Sequence, residues 1–464
     1  MPDRFDVVIV GGGSGGYVAA IRAAQLGLRT AIVERDKVGG TCLHRGCIPT
    51  KALLQTAALL DAVSSGHRLG VMTEGVRLDH NAAMVNKQQV VDTLYRGVQG
   101  LLRKNGVVTH SGGARLDGPG RIRIEGEQDD ELVAGTVILA TGSRPRNIAG
   151  LPVDGRHVVS SDEALTLDHV PRDAVVLGAG AVGVEFASLW RSMGAEVTVV
   201  EMADRLTPLE DHEIGTELQK HFERRGIRCR VGAKLDPASL QRTENGIAVT
   251  ITREGEEERL NAEVLLVAVG RSANVENIGL ETTEVSIDRG TVVVDGHMRT
   301  AETGVLAIGD MVGGFWLAHK AMHEGVLAAE VAAGLSSHPI ESRLITRTTY
   351  CTPQIGSFGL SEQEARDAGH DVRVGRMPFV GNARAVVWGE TGGFCKVVAD
   401  GATNDVLGVH IIGHEVTELI AAPALGALLE ATPFELSRSI APHPTLSEVL
   451  GEAALAVSGE AIHI

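Results

Sequence analysis

The sequence predicts an α/β protein made of two copies of a doubly wound βαβ unit, a central segment, and a separate α+β domain at the C-terminal side. Three observations carry this. The apolar run FDVVIV (5–10) meets Gly11-x-Gly13-x-x-Gly16, a helical stretch, and a second strand TAIVE ending at Glu34. The same series returns at Gly178-x-Gly180-x-x-Gly183 and closes with VTVVE at Glu201. From about residue 344 the pattern changes to strands (GFCKVVAD, VLGVHIIG) alternating with helices, with no further glycine fingerprint. A chain of 464 residues also exceeds the ~250–300 at which a single core stops growing.

Each element has a local reason. A short run apolar at every position, bounded by glycine, reads as a strand buried on both faces. The three glycines allow a tight turn, close approach of a pyrophosphate, and tight helix–strand packing, and the helix N-terminus offers amides to phosphate. An acid after the second strand, Glu34 or Glu201, sits where a ribose hydroxyl is bound. Gly11 and Gly178, Gly16 and Gly183, Gly27 and Gly194, and Glu34 and Glu201 are each 167 residues apart, so the unit is duplicated. TVILATG, ending at Gly142, and VLLVAVG, ending at Gly270, close the two copies. Residues 50–65 and 82–105 show helical spacing, and 107–135 read as a β-meander turning at Gly118, Pro119 and Gly120. Gly150 to Pro152 is the expected crossing to the second domain. GVLAIGD reads as a strand ending at Asp310, an acid placed for ribityl or ribose hydroxyls or for a helix N-cap. The expected domains are 1–150, 151–271, 272–343 and 344–464.

Composition excludes some functions. Lysine plus arginine number 43 against 59 acids, a net charge of −16, which disfavours phosphate-backbone binding. Aromatics at 3% are too few for a base-stacking platform. No apolar run approaches the ~18 residues of a membrane helix. With no signal peptide evident in MPDRFDVVIVGGG and only five cysteines, a cytoplasmic location is expected. No metal is expected.

Two of the cysteines stand in GGTCLHRGCIPTK. Residues five apart on a regular helix have Cα atoms about 8.6 Å apart, whereas a disulfide needs roughly 7 Å or less. If Cys42 and Cys47 bond, the backbone between them departs from the helix, which Gly46 and Pro49 permit. The hypothesis is a redox-active pair beside a flavin; the alternative is two inert core thiols. In APHPTLSE, Thr445-x-x-Glu448 fits a capping box, and His443 fits either a rigid turn or a histidine–carboxylate catalytic pair.

Taken together, VVIVGGGSGGYVAA, GGTCLHRGCIPTK, ILATGSRP, GAGAVGVEFA, VAVGRSAN, AIGDMVGG, LAHKAMHEG and HPTLSE resemble the pyridine nucleotide–disulfide oxidoreductases, and within them most closely the branch that oxidises dihydrolipoamide. The resemblance runs from about Asp6 to the last residues. It implies two Rossmann-like domains, with FAD in the first and NAD in the second, a central domain that completes the FAD site, and a C-terminal dimerisation domain. It implies FAD contacts from Gly11, Gly13, Gly16, Glu34, Thr41, Lys51, Ala114, Thr141, Gly142, Ser143, Asp310, Leu317, Ala318 and His319. The implied NAD contacts are Gly178, Gly180, Ala181, Val182, Gly183, Glu201, Gly270 and Arg271. In catalysis it implies a Cys42–Cys47 disulfide, with Cys42 meeting the substrate and Cys47 the flavin. His443 would be the base, Glu448 its orienting acid, and Lys51 would lie near the flavin, paired with Glu185. A homodimer with shared sites, serving the lipoyl domain or acyltransferase of a 2-oxo acid dehydrogenase or glycine-cleavage complex, follows from the same resemblance.

Other readings fit less well. A mercuric reductase or high-molecular-weight thioredoxin reductase would carry a C-terminal thiol pair where this chain reads SGEAIHI. A glutathione reductase would want basic residues at Glu201, where a ribose phosphate would meet like charge; Arg205 nearby could soften that. A soluble transhydrogenase of this fold typically lacks one redox cysteine. A non-catalytic nucleotide-binding flavoprotein would need neither cysteine. One departure is Ala441-Pro442, where many relatives place a second histidine at position 441.

Overall fold

The computed structural model describes residues 2–126 and 130–464. The chain forms two compact units. The first comprises the chain up to Leu53, Asn81–Arg146 and Arg271–Ile340; the second comprises Leu54–His80, Asn147–Gly270 and Glu341–Ile464.

In the first unit, strand β1 (Asp3–Val10) lies parallel between β2 (Thr30–Glu34) and the strand Asp130–Leu139. Val8, Ile9, Ile32, Val137 and Ile138 are all fully buried. Each such side chain contributes about 1.5–3 kcal/mol relative to exposure. Helix α1 (Ser14–Gln25) turns Ala19, Ala20 and Ala23 into this core. The helix Ala318–Ala332 packs against α1 so closely that a Cβ on Gly325 would lie 2.5 Å from the Gly15 carbonyl oxygen. The strand Val305–Ala307 adds to the sheet beside Asp130–Leu139.

The region 107–135 differs from the expected meander. Val108–Ser111 is the parallel edge strand beside β2, and only Gly113–Leu116, Arg121–Glu125 and Asp130–Leu139 run antiparallel. An edge beside β2 was open to pairing, and a pattern of alternating residues does not tell parallel from antiparallel neighbours. The strand of GVLAIGD also stops early, at Ala307, and Asp310 lies in the following 3-10 turn Gly309–Val312.

The second unit repeats the doubly wound sheet. Asp173–Leu177 sits parallel between Glu196–Val200 and Val264–Val267, flanked by Arg228–Arg230 and Val158–Val159. A three-stranded antiparallel sheet, Ala233–Thr243 to Glu256–Ala262, covers one side of its core. The expected α+β domain follows as a five-stranded antiparallel sheet. Its strands Phe394–Asp400 and Val406–Gly413 are buried throughout. The helix Glu448–Val457 rests on the strand Val372–Pro378 at Gly375, where a Cβ would meet the Ala453 carbonyl oxygen at 2.0 Å. That contact positions Glu448.

Candidate active site

The two glycine loops are nearly identical in detail. Gly11 has φ +103° and Gly178 has φ +99°; a Cβ on either would meet the carbonyl oxygen of Ala140 at 2.4 Å or of Ala268 at 2.5 Å. A Cβ on Gly16 would lie 1.9 Å from the Gly11 oxygen, and one on Gly183 would lie 1.9 Å from the Gly178 oxygen. The middle glycines behave differently. Gly13 and Gly180 cap α1 and the helix Ala181–Ser192 in ordinary extended backbone, and a Cβ there would meet nothing within 4 Å. The protein itself needs no glycine at these two positions. The open space before a helix N-terminus is what a pyrophosphate fills, so the residues fit the implied dinucleotides.

The acids are pinned in the same way. Glu34 accepts from the Gly12 amide at 2.6 Å and the Asp36 amide at 2.9 Å. Glu201 accepts from Ala179 at 2.7 Å and Ala203 at 2.8 Å. Each oxygen keeps a lone pair for a ribose hydroxyl. Beside Glu34 lies a cavity of about 280 Å³ lined by Asp36, Tyr95, Arg103, His110 and Ser111 among others. Arg205 bonds Asp204 at 2.9 Å and the Pro208 carbonyl at 3.0 Å, so its guanidinium is engaged locally.

The remaining expected flavin contacts fall in the first unit. Thr41 lies on helix α2 (Gly40–Arg45), and Ala114 on the strand Gly113–Leu116. Thr141 donates to the Asn274 carbonyl at 2.6 Å, and Gly142 takes φ +69°. Ser143 donates to Asp310 and accepts from Arg271 Nε at 2.7 Å. Arg271 thus belongs to the first unit and holds Ser143. Leu317 is the N-cap of the helix Ala318–Ala332, with Ala318 and His319 in its first turn. Ala181 and Val182 open the helix after Gly180, and Gly270 takes φ +110° just past the strand Val264–Val267.

The cysteine segment breaks where expected. Helix α2 ends at Gly46, with φ −147° and ψ −111°, and helix α3 (Cys47–Ser65) starts afresh. The two sulfurs stand in the dithiol form and share a hydrogen bond. That bond, then burial, pushes the Cys42 thiol well up, while Ser14 and the charge of Lys51 pull it down. Glu185 is buried and accepts from the Tyr350 amide at 2.9 Å.

His443 and Glu448 meet as the motif suggested. His443 Nδ1 hydrogen-bonds Glu448 Oε1 at 2.9 Å, and Glu448 Oε2 accepts from the Thr445 amide at 2.8 Å. Burial works against ionisation of Glu448, yet the Thr445 amide and His443 hold its carboxyl below the usual range. The capping box is only half formed. Ser447 is the N-cap, and the Thr445 hydroxyl donates to Pro442. The carboxylate is shared between capping and the imidazole.

Sequence reasoning missed several participants. Ser14 touches the Cys42 sulfur, and burial and the charge of Cys42 raise the Tyr17 hydroxyl. Lys320 and Glu324 form a buried pair at 2.6 Å, with Glu324 also accepting from Gly309 at 2.7 Å, which anchors the turn bearing Asp310. A lysine and a glutamate four apart, where the helix Ala318–Ala332 turns its buried face inward, were the available signal. His463 and Glu452, the latter on the same helix as Glu448, form a further imidazole–carboxylate pair at 2.8 Å. Among the described residues, no helix is long and apolar enough to cross a membrane.

Comparisons with known proteins agree with this geometry. The chain is 46% identical to a dihydrolipoyl dehydrogenase of Bacillus subtilis and 42% identical to one of Rhizobium etli, over the full length of both chains in each case. Its structure matches the crystal structure of LpdA from Mycobacterium tuberculosis with a TM-score of 0.90 and 28% identity, covering 97% of this chain and 99% of that one. The family description "Pyridine nucleotide-disulphide oxidoreductase" matches residues 5–325 and its dimerisation domain matches 345–454. With paired nucleotide cradles, a dithiol at a broken helix start and a histidine–glutamate pair, the chain belongs to the pyridine nucleotide-disulphide oxidoreductases.

Proposed function

We propose that this protein oxidises dihydrolipoamide to lipoamide and reduces NAD, as a dihydrolipoyl dehydrogenase. The observation that carries the reading is the Cys42–Cys47 dithiol at the Gly46 break, next to one nucleotide cradle in a chain that holds a second. In the oxidised pair, a substrate thiolate attacks Cys42, breaks the sulfur–sulfur bond, and releases Cys47 as thiolate. His443 takes the proton of the second substrate thiol. That thiolate then displaces Cys42, closing the lipoamide ring and leaving two electrons on the pair. Glu448 keeps the imidazole Nδ1–H oriented so that Nε2 accepts the proton. The first cradle would hold FAD and the second NAD; when bound, these would supply the electron acceptor for the reduced pair and the final hydride acceptor.

The finer assignments rest on the same reading. Lys51, beside Cys42 electrostatically, stabilises negative charge at the pair and is expected to pair with Glu185. The expected domain boundaries, 1–150, 151–271, 272–343 and 344–464, divide the chain by these roles. The protein acts as a homodimer in which His443 serves the partner subunit, supported by exposed Phe434, Ile440, Leu425 and Leu428 in the stretch matched or flanked by the dimerisation domain. It serves a lipoyl domain of a cytoplasmic 2-oxo acid dehydrogenase or glycine-cleavage complex. The test is steady-state NAD reduction by dihydrolipoamide, beside oxidised glutathione and oxidised thioredoxin with NADPH. Turnover of dihydrolipoamide alone, lost in Cys42→Ser and Cys47→Ser, supports the reading; faster turnover of either other substrate would falsify it.

A further inference from the structure

The helix Glu448–Val457 carries two carboxylates, four residues apart, on one face, and such a pair has Cβ atoms about 5–6 Å apart. Each is built into the same device. Glu448 holds the His443 Nδ1 with one oxygen and the Thr445 amide with the other. Glu452 holds the His463 Nδ1 with Oε1 at 2.8 Å, and with Oε2 accepts from the amides of Ile462 and His463 at 2.9 and 3.1 Å. The chain reaches this position by turning back at Gly459, with φ +74°. It is packed there: a Cβ on Gly381 would lie 2.8 Å from the His463 carbonyl oxygen. Burial opposes ionisation of Glu448, and the Thr445 amide, His443 and, least, the charge of His463 hold its carboxyl low against it. Bonding at Nδ1 leaves Nε2 of both imidazoles for outward contacts, and both rings are mostly exposed.

We propose that His463 is a positioning residue for His443, acting through the helix: its bond to Glu452 seats the 459–464 segment against the face that carries Glu448 and so fixes the direction of the His443 ring. The proposal rests on His443 being the proton acceptor in dihydrolipoamide oxidation. A base positioned in this way contributes about 10²–10⁴ to rate, and loss of a supporting contact forfeits part of it.

The test uses the full-length holoenzyme with His463→Ala and His463→Asn. Asparagine places a donor on Cγ where the imidazole has Nδ1–H. His463→Ala is expected to lower kcat for dihydrolipoamide about three- to tenfold, with KM for NAD and NADH-driven ferricyanide reduction, which needs no base, unchanged. His463→Asn is expected to return kcat to within about twofold. A second readout needs no turnover: the carbethoxylation rate of His443, followed by mass spectrometry, is expected to change at least about threefold in His463→Ala and to recover in His463→Asn. Unchanged kcat and labelling in His463→Ala overturns the proposal, as does failure of asparagine to rescue, or a parallel fall in ferricyanide reduction. If the unaltered enzyme does not oxidise dihydrolipoamide, the substrate reading fails, and the labelling comparison alone still decides whether His463 holds His443.

Discussion

The two nucleotide cradles share their backbone yet differ in what covers them. In the first, Gly12 and Gly15 are buried and Gly13 and Ser14 are half-buried. A Cβ on Gly15 would meet the Ala321 oxygen at 2.8 Å, and one on Gly40 would meet Gly13 Cα at 2.6 Å. In the second, Gly180, Ala181 and Val182 are exposed. Duplicated phosphate chemistry has thus been placed in one loop roofed by neighbouring helices and one loop open to solvent. The roofed loop suits a nucleotide that stays; the open one suits a nucleotide that comes and goes each turnover.

The largest expected effect comes from the third glycine of each loop. Gly16→Ala and Gly183→Ala both drive a methyl to 1.9 Å from a backbone oxygen, an overlap expected to cost several kcal/mol. Gly16→Ala is expected to give protein without bound flavin. Gly183→Ala is expected to keep flavin absorbance and ferricyanide reduction by dihydrolipoamide while losing NAD-linked turnover. Equal flavin loss in both variants would show that the two cradles do not function separately.

A smaller effect, confined to binding, is expected at the middle glycines. Gly13→Ala and Gly180→Ala place the methyl where no protein atom lies within 4 Å, and the backbone already suits alanine. Both are expected to melt within about 2 °C of the unaltered apoprotein, while the affinity for FAD or NAD respectively falls at least tenfold, about 1.4 kcal/mol. Isothermal titration on apoprotein measures this. Unchanged affinity would mean the open space is not where the pyrophosphate sits.

Next is coenzyme choice. A phosphate on the ribose hydroxyl would lie near Glu201, and unit charges about 4 Å apart repel by roughly 1–4 kcal/mol between water and a protein surface. Arg205 is engaged with Asp204 and Pro208, so its softening effect is small. Glu201→Gln is expected to narrow the preference for NAD over NADP by one to two decades in kcat/KM, and to cost about 1 kcal/mol of stability because one of the two pinned amides loses its acceptor. Glu34→Gln should leave the preference alone.

Much of this was legible in the residues. The 167-residue offset locates two loops whose clashes agree to 0.1 Å, because a glycine fingerprint encodes steric requirements that any copy must meet. The break at Gly46 was legible too, since a sulfur–sulfur contact and a regular helix are geometrically incompatible. Partnerships between remote segments were not. Nothing in the sequence ties His463 to Glu452, Arg271 to Ser143, or Val108–Ser111 to the edge of β2. Those pairings follow from how the chain packs, and a spacing pattern carries no information about them.

The smallest effect concerns acid stability, where the second unit has a specific weak point. Asp154 is partly buried, which opposes its ionisation, but it accepts from the amides of Val158, Arg156 and His157 and from Arg242, and these outweigh burial and bring its pKa to about 2. A carboxyl depressed on folding stabilises the native state above its unfolded value, near 3.8, and loses that contribution as pH falls toward 2. The shift corresponds to at most about 2.4 kcal/mol, reduced to roughly 1–2 kcal/mol by solvent screening. Asp154→Asn is therefore expected to destabilise the second unit by about that amount at pH 7, and to differ little from the unaltered chain near pH 2. Trp190, buried against Phe186 in that unit, reports it by fluorescence once Trp316 and Trp388 are replaced by phenylalanine. A destabilisation equally large at pH 2 would show that Asp154 acts through packing rather than through its charge.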